Sequence, residues 1–124
     1  MVLGLWEGLE SVVALVREYV RGEALGQGIS TKQALDLLGY VDTAVNAGIY
    51  FEDAVLSNFI DTSSQIYCID CSGIKTREDF AAPEYFRRHC LNMQVLLLRL
   101  ICFQAENPVE VLELVQDREY APLR

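Results

Sequence analysis

Positive charge is what this chain has least of. Ten Lys and Arg stand against eighteen Asp and Glu, a formal net charge of −8. Phosphate backbones and anionic lipid are held by clustered cations, so this balance argues against nucleic-acid and membrane-surface partners. Histidine is scarcer still, with His89 the single example. No nucleophile motif or acidic pair stands near it in sequence, so no enzymatic centre is expected and His89 reads as a surface or interface residue. Long apolar runs are missing too. The densest, Val95 to Phe103, is too short to span a bilayer and contains Arg99. A secretion signal is not expected either. Residues Met1 to Val20 lack a basic start, and Glu7, Glu10, Arg17 and Glu18 interrupt the apolar positions.

The cysteines are few and scattered. Four in 124 residues, two of them inside an apolar stretch, do not form the framework of a disulfide-stapled secreted domain. A reducing compartment is expected, cytoplasmic with nuclear as the alternative. No repeat, low-complexity tract or compositional break divides the sequence, so residues 1–124 read as a single domain.

What the chain does have is apolar surface. Hydrophobic residues make up 52% of it, more than a small domain readily hides, so self-association or a partner is expected to bury the surplus. The helical period recurs along most of the length. Leu5, Leu9, Val12, Val13, Val16 and Val20 predict a helix over Leu3–Arg21. Ser30 and Gln33 form a capping box for a second helix that stops at Gly48, with Leu35, Leu38, Val41 and Val45 inward. Phe51, Val55 and Phe59, flanked by Leu56 and Ile60, predict a third helix to Asp61. The segment Gln65–Gly73 reads as a loop or helix end, because a lone strand there has no evident partner. Thr76 and Asp79 resemble a cap ahead of Pro83, which suits the first turn of a long helix over Pro83–Gln104. In that helix Arg88, Asn92 and Arg99 mark a thin wet stripe. Cys90, Met93, Leu97, Leu100 and Ile101 fill the opposite face, which Leu91, Leu98 and Cys102 widen. Asn107–Pro108 starts a short last helix with Val109, Leu112 and Val115 inward, and Tyr120–Arg124 reads as a frayed tail. The expected fold is therefore all-α, a compact bundle of four to five helices around an apolar central helix near 83–104.

Candidate chemistry is sparse. Cys68-x-x-Cys71 with Cys90 and perhaps His89 offers zinc-type ligands, although neighbouring helical residues point about a hundred degrees apart. Gly26 to Thr31 lacks the lysine and spacing of a phosphate loop and reads as a turn plus cap. Arg87, Arg88 and His89 form the one dense basic spot, in which Glu84 is spaced to pair with Arg88. Arg87, Arg88 and Arg99 are the candidate partner contacts. The function expected from this pattern is a non-enzymatic protein–protein interaction module (adaptor, inhibitor or accessory regulator), homodimeric and without cofactor. A small zinc-binding regulatory module is the alternative.

Overall fold

The computed structural model describes residues 3–5, 15–17, 22–62, 65–68 and 73–117. It is an α+β fold, which overturns the expected all-α bundle. Among the described residues, three strands, a helix, four strands and two helices follow one another, with two 3₁₀ turns between them. Strands β1 (Leu3–Leu5) and β2 (Leu15–Arg17) pair antiparallel, where a helix over Leu3–Arg21 was expected. That segment is rich in valine, whose branched Cβ suits a strand better than a helix, and Gly4 weakens the helical alternative further. Residues 6–14 and 18–21 of the expected helix lie outside the described residues, as does the expected tail Tyr120–Arg124.

Strand β3 (Glu23–Ala24) joins β5 (Phe59–Asp61) and β6 (Ile66–Cys68) in an antiparallel sheet of order β3-β5-β6. Gly22 enters this sheet against the backbone of Asp61, so closely that any side chain would collide with that carbonyl. Strand β4 (Ile49–Phe51) pairs antiparallel with β7 (Ile74–Thr76). The predicted helix Phe51–Asp61 is absent: the chain leaves β4 at Phe51, turns, makes one 3₁₀ turn at Leu56–Asn58 and runs into β5. The fourfold spacing of Phe51, Val55 and Phe59 arises from that turn and not from helical winding. Phe51 and Phe59 meet edge to face, 5.8 Å between centroids. Gln65–Gly73 is corrected accordingly, since Ile66–Cys68 is a strand whose partner is β5.

Three helices are present among the described residues. Helix α1 (Thr31–Asn46) carries the expected capping box, Ser30 Oγ accepting from Gln33 N–H and the Gln33 side chain accepting from Ser30 N–H. It ends where Gly48 takes a φ of +88°, a conformation that side chains disfavour. The Thr76–Asp79 box is real but caps a 3₁₀ turn at Arg77–Asp79. Helix α2 (Pro83–Gln104) begins with Pro83 in its first turn. Helix α3 (Pro108–Asp117) is capped by Asn107, whose Oδ1 accepts from Glu110 N–H at 3.2 Å. Val111 and Val115 are its buried residues; Val109 and Leu112, expected inward, are exposed.

The core is shared by all layers. Leu37 and Val41 of α1, Phe59 of β5, Leu97 and Ile101 of α2 and Val111 of α3 are fully buried. Ile29 ties the entrance of α1 to the end of α2, donating to Gln104 O and accepting from Glu106 N. In consequence α2 is not the apolar central helix that was expected. It is amphipathic and flanks the sheet, with Cys90, Met93, Leu97, Leu98 and Ile101 on the core. Leu91 and Leu100, expected to be covered, face solvent. Gln94 is the one buried polar side chain among the described residues, reaching Asp42 Oδ1 at 3.4 Å.

Candidate functional site: an apolar groove along helix α2

Helices α1 and α3 and strand β4 cover α2 on one side, and α2 carries more apolar residues than one side accommodates. The excess forms a second row, Leu96, Leu100 and Phe103, at steps of four and three along the outer face. Phe103 is 85% exposed and Leu96 56%. Beside this row the chain leaving β4 passes through Glu52, Asp53, Ala54 and Val55. Between the two walls lies an open groove of about 670 Å³, floored by Phe51 and Met93.

Polar side chains line it as well: His89, Asn92 and Arg99 from α2, and Glu52 and Asp53 from the opposite wall. His89 stands at one end. Its Nδ1 lies 2.7 Å from Tyr85 O; a carbonyl only accepts, so Nδ1 carries the proton and donates. The ring packs against Phe80 and Tyr50 at 5.0 and 5.8 Å. Burial pushes the Tyr50 phenol above its ordinary pKa, and the nearby Glu52 carboxylate adds to the shift. Glu52 pairs with Lys75 at 3.4 Å, and Asp53 accepts from the Asn58 amide at 3.3 Å. Arg99 lies on the opposite wall, exposed, and makes no salt bridge among the described residues.

The candidate residues of the sequence are dispersed. Arg99 lines the groove; Arg87 and Arg88 are exposed on α2 outside it. Glu84 and Arg88 form no salt bridge. Of the zinc-type residues, Cys68 sits half-buried in β6, its N–H donating to Tyr40 Oη at 3.1 Å. Cys90 is buried on the core side of α2, where burial raises its thiol pKa, whereas the neighbouring His89 points to solvent. Cys71 lies outside the described residues. Among those described, no three His, Cys, Asp or Glu side chains converge as a metal site.

A second depression of about 560 Å³ runs along α1 past Gly39, Tyr40, Thr43 and Ala47 to Ile66 and Ile74. Gly39, Thr43, Ala47 and Ile74 are exposed along it and Ile66 is buried, but it exposes no row of large apolar side chains like that of α2. Sequence reasoning missed Leu96 and Phe103. The available signal was two parallel apolar rows on one helix, 93-97-101 and 96-100-103, where a single buried face needs one. No helix among the described residues is long and apolar enough to cross a membrane. Comparison with protein-family models, curated proteins and solved structures returned no match.

Proposed function

We propose that the protein is a non-enzymatic protein–protein interaction module, and that the α2 groove is its binding face. One observation carries this reading: Leu96, Leu100 and Phe103 stand in water side by side along a preformed cleft. Scattered apolar residues on a surface are ordinary, but a contiguous row at helical spacing beside a groove is the geometry by which amphipathic helices are received. Its chiefly apolar lining and its polar rim are the arrangement of a protein interface. The acidic surface elsewhere keeps such a module in solution and discourages nucleic acid. Cys68, Cys90 and Cys102 are free thiols, which fits work in the reducing cytoplasm or nucleus.

The test compares wild type with Leu96→Glu in affinity capture from the source cell, followed by mass spectrometry. Leu96 is exposed, so the variant should fold with an unchanged melting temperature and lose the proteins that wild type retains. Equal capture by both would refute the groove as the binding face.

A further inference from the structure

The α2 groove sets a ridge and a cleft side by side. Leu96, Leu100 and Phe103 project as the ridge, and the cleft lies between them and Ala54–Val55. Two copies related by a two-fold axis present identical surfaces, so a self-binding face must contain both members of every complementary pair. This face does so in shape, and again in charge. Arg99 occupies the helix wall; Glu52 and Asp53 occupy the loop wall. Glu52 is already engaged by Lys75, whereas Arg99 has no ion-pair partner among the described residues.

The charge balance also separates a second copy from a foreign partner. A net charge of −8 steers basic proteins toward the molecule as a whole, but the groove itself mixes signs and does not select a strongly basic helix. With Glu52 held by Lys75, one cation, Arg99, and one carboxylate, Asp53, are left on each copy, and a half-turn can set each against the other. From His89 to Phe103 the groove spans four helical turns, about 21 Å at roughly 1.5 Å per residue.

We infer that the groove receives helix α2 of a second copy of this chain, in a two-fold dimer where Arg99 of each copy faces Asp53 of the other. The inference rests on the reading of the groove as a protein-binding face. Sedimentation equilibrium of the full chain, from micromolar to submillimolar concentration, tests it. The wild-type mass should rise from 14.0 kDa toward twice that value. Arg99→Glu and Asp53→Arg should each weaken association by about tenfold or more, since each sets like charges opposite one another at both ends of the interface. An equimolar mixture of the two variants should associate again, because opposite charges then meet at both ends. Phe103→Ser should weaken association and gain nothing from mixing with either. If circular dichroism shows Asp53→Arg unfolded, Asp53→Lys takes its place in the mixture, since it sets the same charge at the same position. Wild type that stays monomeric throughout, or charge variants that mixing does not restore, would overturn the second-copy assignment. Loss of captured proteins in Leu96→Glu, with wild type monomeric, would preserve the binding face and assign it to another protein.

Discussion

Replacing Tyr40 with phenylalanine removes one oxygen atom and leaves the ring. In the native structure that ring stacks on Phe51 and meets Phe59 edge to face, both at 6.1 Å. Its hydroxyl accepts from the Cys68 amide at 3.1 Å. Cys68 closes the end of β6, the outer strand of the three-stranded sheet, and its N–H is directed away from β5 toward α1. Without the hydroxyl, that amide loses the acceptor it has in the folded protein. A typical intramolecular hydrogen bond contributes about 0.5–1.5 kcal/mol, and Tyr40→Phe should cost an amount in that range. At about 4 °C per kcal/mol for a domain of this size, the melting temperature falls by about 2–6 °C. Urea titration should show a lower midpoint with an unchanged slope, and hydrogen exchange at the Cys68 amide should accelerate. Tyr50→Phe is the control, because its hydroxyl forms no hydrogen bond among the described residues; its stability at neutral pH should change by less than about 0.5 kcal/mol. A Tyr40→Phe protein within about 0.3 kcal/mol of wild type would refute the docking of α1 on the edge of β6.

Adjacent leucines of α2 should behave oppositely. Leu97→Ala, at a fully buried site, should cost about 2–5 kcal/mol, while Leu96→Ala should cost under about 1 kcal/mol by thermal melting. Gln94→Leu should be neutral or stabilising by up to about 1 kcal/mol, since the buried amide has only a long bond to Asp42; a loss above about 1.5 kcal/mol would show that this bond holds α1 to α2. Burial raises the Cys90 thiol pKa, so the folded state holds that proton more tightly than the unfolded chain does. Stability from this source is full below the ordinary thiol value and is lost as pH rises through the higher folded one. Urea midpoints should therefore fall more steeply with alkaline pH in wild type than in Cys90→Ala, and parallel curves would show that the thiol is not desolvated.

The features legible in the sequence are those set by a few neighbouring residues. The Ser30–Gln33 box, the stop at Gly48, the start at Pro83 and the break at Asn107–Pro108 each act over one helical turn, and each stands where local chemistry puts it. The strands were not legible because most are three residues long, too short for an alternating pattern to emerge. One misreading produced the next. Once Phe59–Asp61 is assigned to a helix, Ile66–Cys68 has no partner and reads as a loop, although the two are neighbours in one sheet. The groove was half legible. Arg99 stands out in the sequence, but Leu96 and Phe103 do not, because a single thin wet stripe at Arg88, Asn92 and Arg99 leaves the rest of the helix to be covered. Only the positions of α1, α3 and β4 reveal which of the two apolar rows remains uncovered.

Self-association through the exposed row of α2 is most directly tested by methyl NMR of leucine-labelled wild-type protein over a dilution series. The account predicts concentration-dependent shifts at Leu96 and Leu100, with Leu97 and Leu98 stationary beside them. Methyl signals that ignore concentration, or that move along α1 at Leu35 and Leu38 instead, would contradict it.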